Sequence, residues 1–393
     1  MLTRAITTPR IRHGEAYALG MSDPGSGWSG DVPQPHTLTT ILRITDDAGN
    51  QGVGATSTYS ERAHDLSVLE TLNPILHSMV GASPWETEAL ARAGRRHPLP
   101  VSPGALSALD IAMWDLAAKQ VDLPLYRLLG GAAASIPAYA STPFLGTTDA
   151  YLDATAQLLN QGFRAIKFHA WGEPDRDLAL LRAVREAYPN GETTFMLDAE
   201  QRYDRSGALR IAQEMARLRC GWLEAPLDDH DLRGYQELRR KVDLPILCSG
   251  NWIWRLPSVL GAAHAGSWDA LHFDVTVCGG ITAGRKLAAL AEASGLGVEL
   301  QSWGHTLVQA ANLHLALGCG RAEWFEYAVP ADTHRAAVRN PIQVDDQGLV
   351  HPPSGPGLGI ELDWEQVGAE ALATRTWRPK VTPACRCQDA VTR

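Results

Sequence analysis

A row of eight short apolar segments, each followed by a helix-like stretch, constrains the fold of this chain more than any other feature. The segments read IPAYAST, FRAIKFHA, TTFMLDAE, CGWLEAP, LPILCSG, ALHFDVT, GVELQSW and EWFEYAVP. Stretches such as DLALLRAVREAY and GALRIAQEMARL lie between them and have the apolar spacing of helices. A repeat of roughly 25–30 residues predicts an α/β fold with a (β/α)8 TIM barrel over residues 131–330. A doubly wound open sheet is the alternative, but no Gly-x-Gly-x-x-Gly turn supports it.

The residues on either side of this repeat predict an α+β capping domain. In residues 1–130, HTLTTILRITDDAGNQGVGATST alternates apolar and polar residues around the turn DDAGN, which predicts an antiparallel hairpin. The stretches ERAHDLSVLETLNPILHSMVG and SPGALSALDIAMWDLAAKQV predict helices, the second with an apolar stripe from Leu106 to Leu116. Residues 331–393 include VDDQGLVHPPSGPGLGIELDWEQV, which is rich in turn residues, and we expect this C-terminal segment to leave the barrel and rejoin the capping domain. After about Ala371 we expect little regular structure.

Composition and charge limit the partners and the compartment. The chain of 393 residues has 45% apolar and 20% charged residues, as soluble globular enzymes do. Its net charge of -9 argues against nucleic acid or an anionic membrane as a partner. We find no pattern of a signal peptide or of a membrane span, and the six cysteines lack the spacing of a metal site. A cytoplasmic protein with reduced thiols is therefore expected.

Polar residues stand where the predicted barrel strands end, which is where TIM-barrel enzymes carry their chemistry. From the second strand to the eighth they are Lys167 and His169, Asp198, Glu224, Asn251, Asp274, Gln301 and Glu326. Oxygen side chains on neighbouring strands, here Asp198, Glu224 and Asn251, suit a hard cation such as Mg2+. The alternative for each acid is an ion pair with an arginine of a nearby loop.

Several motifs together give the chain a resemblance to the enolase superfamily, closest to its mandelate racemase type. They are ALDIAMWDLAAKQVDLPLYRLLGG before the barrel, AIKFHA, LDAE, WLEAPL, FDVTVCGGIT and ANLHLAL within it, and PSGPGLGIELD after it. The resemblance covers almost the whole chain and implies a barrel whose mouth is covered by an α+β cap. It also implies Mg2+ bound at strands three to five, where Asp198 and Glu224 match the family's ligands. The ion would hold a substrate carboxylate while a strand-end base removes the adjacent proton.

Two departures from the family pattern fall in this site. The third metal position usually carries glutamate, whereas this chain has Asn251, as glucarate dehydratases of the superfamily do. Its amide oxygen can still coordinate a metal, but with one negative charge fewer. The usual Lys-x-Lys of strand two reads Lys-x-His here, which makes His169 the expected base and Lys167 the alternative base. Lys167 is otherwise expected to pair with the substrate carboxylate or to tune His169.

The opposite face of the pocket matches the family pattern least well. Relatives pair a histidine that ends strand seven with an aspartate that ends strand six; Asp274 matches the aspartate, but Gln301 stands at the histidine position. Either His305, four residues later, bends back to Asp274, or this dyad is absent and Gln301 only hydrogen-bonds substrate. Three further residues are candidates for contact with substrate: Trp28, Glu200 and Glu326.

These features lead to three hypotheses for function. The first is a Mg2+-dependent dehydratase of a sugar acid, in which one base removes the α-proton and then protonates the leaving β-hydroxyl. The second is a racemase, epimerase or cycloisomerase, which shares the first step but normally needs an acid and a base on opposite faces. The third is a barrel that binds a carboxylate without turnover. The expected partner is a small carboxylate, and the resemblance implies a homo-oligomer.

Overall fold

The protein is described by a computed structural model over residues 9–22, 27–29, 36–57, 62–97 and 101–378. In chain order its strands and helices are β1 (Ile11–Ser22), β2 (His36–Asp46), β3 (Gln51–Ser57), α1 (Arg62–Met79), α2 (Thr87–Arg96), α3 (Pro103–Gln120), α4 (Leu125–Leu128), β4 (Ile136–Ser141), α5 (Thr148–Asn160), β5 (Ala165–His169), α6 (Pro174–Ala187), β6 (Thr194–Asp198), α7 (Arg205–Arg217), β7 (Leu223–Glu224), α8 (Leu232–Arg239), β8 (Ile246–Leu247), α9 (Leu256–Ala265), β9 (Ala270–Phe273), α10 (Ile281–Ala293), β10 (Gly297–Leu300), α11 (Thr306–Cys319), β11 (Ala322–Ala328), β12 (Leu349–Val350), α12 (Trp364–Glu370) and β13 (Ala371–Trp377). A short 3-10 turn, Ala331–His334, follows β11.

The eight parallel strands β4 to β11 close into a barrel, because β11 pairs with β4 as well as with β10. Each of them overlaps one of the eight apolar segments, so the predicted TIM barrel is confirmed. Alternation along β5 sets the two faces of the wall. Ile166 and Phe168 pack outward in the main core with the helices, whereas Lys167 and His169 point inward. Below them the barrel is filled by a smaller cluster that includes Tyr139 and Trp222, whose rings meet edge to face at 5.3 Å.

The capping domain is built on an antiparallel sheet with the order β13-β1-β2-β3. The hairpin predicted around DDAGN is confirmed as β2 and β3. The expectation of little regular structure after about Ala371 was wrong as far as Trp377, because β13 pairs along the edge of β1. Trp377 is buried at the end of this strand, and its indole N–H donates to Asn73 at 2.7 Å. The last two cysteines, Cys385 and Cys387, lie outside the described residues.

Helix α3 is buried on nearly every side, although its sequence predicts a single apolar stripe. It packs against β3 on one side and the barrel on the other. Close approach to β3 requires glycine there, since a Cβ on Gly54 would lie 2.0 Å from the Ala108 carbonyl oxygen. Asp115 of α3 accepts hydrogen bonds from the backbone N–H groups of Val53 and Leu358, both at 2.7 Å. One buried carboxylate therefore joins the capping sheet to the segment that follows the barrel.

Polar contacts also fix the cap to the rim of the barrel. The Trp114 indole donates to Thr282 Oγ1 at 2.9 Å, and the Thr282 N–H donates to Asp110 at 2.9 Å. On the other side of the cap, Thr56 Oγ1 donates to the Thr276 carbonyl oxygen at 2.7 Å. The cap thus sits over the carboxyl ends of the barrel strands. No helix in the described ranges has the length and apolar character to cross a bilayer.

Replacing Gly54 with alanine is expected to destabilise the protein by about 1–3 kcal/mol, because the new methyl group would overlap the Ala108 carbonyl. The measurement is the midpoint of urea-induced unfolding. Gly146→Ala is the matched control, since a Cβ there meets no atom within 4 Å. Equal midpoints for the two variants would contradict a tight β3–α3 contact.

The buried histidine of α11, His314, is expected to make the protein less stable in acid. Its Nδ1 accepts from the Tyr126 N–H at 3.0 Å, and its Nε2 donates to the Leu358 carbonyl oxygen at 3.1 Å. Burial lowers its pKa from 6.5 to about 4, so the unfolded chain takes up the proton first as the pH falls. The contribution of His314 is complete above about pH 6.5 and falls by about 3 kcal/mol towards pH 4.

The test compares free energies of unfolding at about pH 7 and pH 4.5 for wild type and His314→Asn. The variant should have a lower free energy of unfolding than wild type at about pH 7, but that free energy should fall less between about pH 7 and pH 4.5. His230→Asn, on the exposed surface, should behave as wild type. Identical acid sensitivity of His314→Asn and wild type would contradict the assignment.

Candidate active site

Three predicted site residues stand side by side at the rim of the barrel. Strand register pairs His169 of β5 with Asp198 of β6, and Asp198 with Glu224 of β7. Adjacent strands lie about 4.8 Å apart, so one base and two carboxylates converge on one side of the barrel mouth. Because all three positions are the last residues of strands, the hydrogen-bonded sheet itself holds the row in place.

Lys167 lies two residues below this row, inside the barrel and only 2% exposed. Its Nζ is 2.9 Å from Glu224 Oε2, 2.9 Å from Glu326 Oε1 and 4.0 Å from Asp198 Oδ2. Burial opposes the charge of this lysine, but the Glu224 and Glu326 carboxylates together raise its pKa well above the ordinary value. Lys167 is therefore a fixed cation that joins β5 to β7 and β11.

The carboxylates around Lys167 differ in their tendency to hold a proton. Glu326 is buried, yet Lys167 and the Ser302 N–H, 2.7 Å from Oε2, lower its pKa to about 2. Burial and the charge of Asp198 raise the pKa of Glu224 well above its ordinary value, even with Lys167 adjacent. Three carboxylates share one ammonium, so the side of the pocket with Asp198 and Glu224 favours an added cation.

The oxygen donors on that side suit a hard divalent cation. Across the described part of the chain, no group of three or more His, Cys, Asp and Glu side chains is arranged to hold a metal. Asp198 and Glu224 supply two carboxylates, and Asn251 lines the same cavity. Two adjacent carboxylates with a neutral amide are a donor set that fits Mg2+ better than a soft metal.

The loop that carries Asn251 is shaped by close contacts. Gly250 has a φ of +76°, and a Cβ there would lie 2.2 Å from the His272 carbonyl oxygen, so the turn requires glycine. The Asn251 N–H donates to Ser249 Oγ at 3.2 Å. Gln301 Nε2 donates to the Ser249 carbonyl oxygen at 2.8 Å. The loop after β8 and the end of β10 are therefore held together across β9.

His169 presents one ring nitrogen to the pocket. Its Nδ1 lies 2.7 Å from the Thr142 carbonyl oxygen, and a carbonyl only accepts, so Nδ1 carries the proton in the neutral ring. Nε2, which lies 3.6 Å from Asp198 Oδ2, is then the basic nitrogen. Burial, together with the charge of Lys167, lowers the pKa of His169 in spite of Asp198. Trp303 packs edge-on against the ring, with 5.4 Å between ring centres.

The structure does not bring Asp274 and His305 together. Asp274 is buried and accepts from the Thr276 N–H and from Asn312 Nδ2, both at 2.7 Å; burial nonetheless raises its pKa to about 6. His305 caps α11 through Nδ1, and its Nε2 donates to the Ala336 carbonyl oxygen at 2.8 Å. Both ring nitrogens of His305 are engaged by the backbone, so its position does not support a catalytic role. Of the two arrangements that the sequence left open, the structure has the one without the dyad.

Glu200 and Trp28 reach the pocket from different domains. Glu200 follows Asp198 by two residues, with a φ of +49°, and its carboxylate pairs with Arg202 at 2.9 Å. Arg202 also donates to Ser29 Oγ of the capping domain at 2.6 Å. The arginine thus ties the short cap segment 27–29 to the loop after β6, and Trp28 lies in the wall of the pocket.

One cavity of about 460 Å3 contains nine of the eleven residues predicted from the sequence, all except Asp274 and His305. Its volume is typical of small-molecule sites. Seven further lining residues were not predicted: Ser57, Gln201, Ala225, Ser249, Trp252, Val277 and Trp303. Trp252 follows Asn251 directly and Trp303 follows Gln301 by two, so proximity to a strand end was the available signal. Clefts of about 530 and 730 Å3 lie elsewhere, and neither is lined by Lys167 or by the two paired carboxylates.

Comparison with family sequence models gives two matches. Residues 150–367 match the family described as "Enolase C-terminal domain-like", and residues 34–130 match "Mandelate racemase / muconate lactonizing enzyme, N-terminal domain". The chain is 31% identical to 3,6-anhydro-alpha-L-galactonate cycloisomerase of Streptomyces coelicolor, over 84% of this chain and 91% of that protein. It is 29% identical to L-talarate/galactarate dehydratase of Salmonella typhimurium, over 75% of this chain and 74% of that protein.

Solved structures give the same result. A structure from Pseudovibrio sp., provisionally described as a mandelate racemase/muconate lactonizing enzyme, is 37% identical with a TM-score of 0.90, covering 94% of this chain and 99% of that one. The L-talarate/galactarate dehydratase liganded with Mg and L-lyxarohydroxamate is 25% identical with a TM-score of 0.85, covering 96% and 97%. The named relatives are lyases and isomerases. The chain therefore belongs to the enolase superfamily and is a mandelate racemase-like enzyme.

Proposed function

We propose that this enzyme removes the proton α to the carboxylate of a sugar acid in a Mg2+-dependent reaction, and that loss of the β-hydroxyl follows. The observation that carries the proposal is Nε2 of His169, the one histidine nitrogen that the described residues present to the pocket, beside Asp198 and Glu224. One base on one face suits dehydration, because the same group can take the α-proton and return it to the leaving oxygen.

Asp198, Glu224 and Asn251 are the residues that would hold Mg2+. Bound there, the ion would supply positive charge that stabilises a substrate carboxylate as a second negative charge develops on it. Structures of L-talarate/galactarate dehydratase that are liganded with Mg support Mg2+ as the metal. Because Asn251 is neutral, the ligands carry two negative charges in place of three. We expect weaker binding of the ion and less repulsion of an anionic substrate.

The residues of the pocket floor have distinct parts in the proposed reaction. The α C–H bond breaks as His169 Nε2 accepts the proton, and the bond from the β-carbon to its hydroxyl breaks as the carbon–carbon double bond forms. The hydroxyl leaves as water with the proton from His169, and the remaining enol becomes a 2-oxo acid by taking a proton from solvent. Lys167, fixed between Glu224 and Glu326, attracts the substrate carboxylate. Gln301 Oε1, which is buried and accepts no hydrogen bond from a described residue, can receive one from a substrate hydroxyl.

A cycloisomerase is the second candidate, and the similarity to the anhydro-galactonate enzyme favours it. If the β-oxygen belongs to a ring, the same removal of the α-proton opens the ring, and the oxygen stays attached to the product. Racemisation is disfavoured because it needs a second proton donor on the opposite face. Gln301 stands at that position, and the ring of His305 is bonded to the backbone.

Replacing His169 with glutamine should lower turnover by roughly 10³-fold, because general base catalysis at Nε2 is lost while the size of the side chain is nearly kept. A panel of acid sugars with Mg2+ in D2O, followed by 1H NMR, would report both product formation and α-deuteration. His230→Gln, on the exposed surface, should retain the wild-type rate. Wild-type deuteration by His169→Gln would rule out His169 as the base. A wild-type protein that turns over no panel member would support the carboxylate-binding alternative.

Replacing Asn251 with aspartate should tighten Mg2+ binding by about tenfold or more, because a third carboxylate would face the ion. Isothermal titration with Mg2+ measures the change directly and needs no substrate. Asn190→Asp adds the same charge at an exposed, distant position and should leave the dissociation constant unchanged. An unchanged constant for Asn251→Asp would place the ion away from this residue.

A further inference from the structure

The wall of the active-site cavity differs in character from its charged floor. Three tryptophans from separate segments line it: Trp28 of the cap, Trp252 after β8 and Trp303 after β10. Ala225 and Val277 extend the same apolar surface. Trp252 is 65% exposed, which is unusual for the largest apolar side chain at the mouth of a cavity. An exposed aromatic side chain beside a reactive site is a typical ligand contact.

Four polar side chains in the same wall already hydrogen-bond or pair with other residues of the protein. Gln201 Oε1 accepts from the Asp229 N–H at 3.0 Å, and Ser249 Oγ donates to Asp229 Oδ2 at 2.6 Å. Gln301 Nε2 donates to the Ser249 carbonyl oxygen. The Glu200 carboxylate is paired with Arg202. Gln301 Oε1, which accepts no hydrogen bond from a described residue, can receive one substrate hydroxyl, but the other groups are poorly placed to receive a chain of them.

An open-chain sugar acid carries a hydroxyl on nearly every carbon. Each hydroxyl that leaves water without a partner is costly, so such a substrate needs a wall of available donors and acceptors. A ring presents a flat face of C–H groups on one side and gathers its hydroxyls at the edge. Tryptophan rings pack well against such a face.

We propose that the substrate carries a ring next to its carboxylate, and that Trp252 and Trp303 bind the face of that ring. This inference rests on the proposed function, because a substrate carboxylate bound near Lys167 and Asp198 would place an adjoining ring against the tryptophans. Trp303, which is 7% exposed and edge-on to His169, forms the inner part of the contact. Trp252, at the mouth, forms the outer part and becomes buried when the substrate binds.

The test uses three hydroxamates, whose two oxygens resemble those of the enediolate that forms when the α-proton is lost. Each is titrated into the Mg2+-loaded enzyme and its binding is measured by calorimetry. Benzohydroxamate carries an aromatic ring, tetrahydrofuran-2-carbohydroxamate carries a saturated oxygen ring, and L-lyxarohydroxamate is open-chain. Both ring compounds should bind at least tenfold more tightly than the open-chain compound if the wall recognises rings. Tighter binding of the saturated ring than of the aromatic one would identify a cyclic sugar acid. The reverse order would overturn the proposal of a ring-bearing sugar acid, because an aromatic carbon next to a carboxylate carries no proton for a base to remove.

Variants assign the preference to the wall. Trp252→Ala, at an exposed position that should not disturb folding, should weaken binding of both ring compounds at least tenfold. Binding of the open-chain compound should weaken less than threefold. Trp85→Ala, an exposed tryptophan of the cap that bonds Gln120, is the matched control and should change none of the three. Mg2+-dependent binding without a ring preference, or an equal effect of Trp252→Ala on all three, would overturn the ring proposal alone. Absence of Mg2+-dependent binding for all three compounds would overturn the proposed function with it.

Discussion

The contact of buried Lys167 with Glu224 and Glu326 is the interaction on which the pocket depends. It joins three strands of the barrel, with both Nζ–O distances at 2.9 Å. Removing one partner of such a buried pair typically destabilises a protein by about 3–5 kcal/mol, because the remaining charge stays buried without compensation. The lysine therefore fixes the carboxylates in advance of any ligand. Its single positive charge does not balance the negative charge of the surrounding carboxylates, so the side of the pocket with Asp198 and Glu224 still favours an added cation.

The charged floor and the aromatic wall reinforce each other. Trp303 packs against His169 on one side and is part of the surroundings whose burial of the imidazole lowers its pKa. An apolar wall also reduces the local dielectric constant, so each charge on the floor acts more strongly than it would in water. The same residues that give the cavity its shape thus also lower the proton affinity of the His169 imidazole.

The directions of side chains on strands could be predicted from the sequence, but those of side chains in loops could not. Alternation along FRAIKFHA directs Lys167 and His169 inward whatever the loops do, and parallel pairing then sets the row of strand-end groups. The direction of Trp252 depends on a glycine turn packed against a neighbouring strand, and that of His305 on a backbone carbonyl 31 residues later. Residues 371–377 have little apolar pattern of their own and become a strand by pairing with a distant edge.

Helix α3 has a consequence for how the molecule moves. Its Asp115 bonds both the capping sheet and the segment after the barrel, and Trp114 bonds Thr282 on the barrel. Swinging the cap away as a rigid body would break these buried contacts together and expose the helix. Cap and barrel should therefore melt in a single cooperative transition, and we expect ligand exchange to involve local rearrangement at the mouth of the cavity.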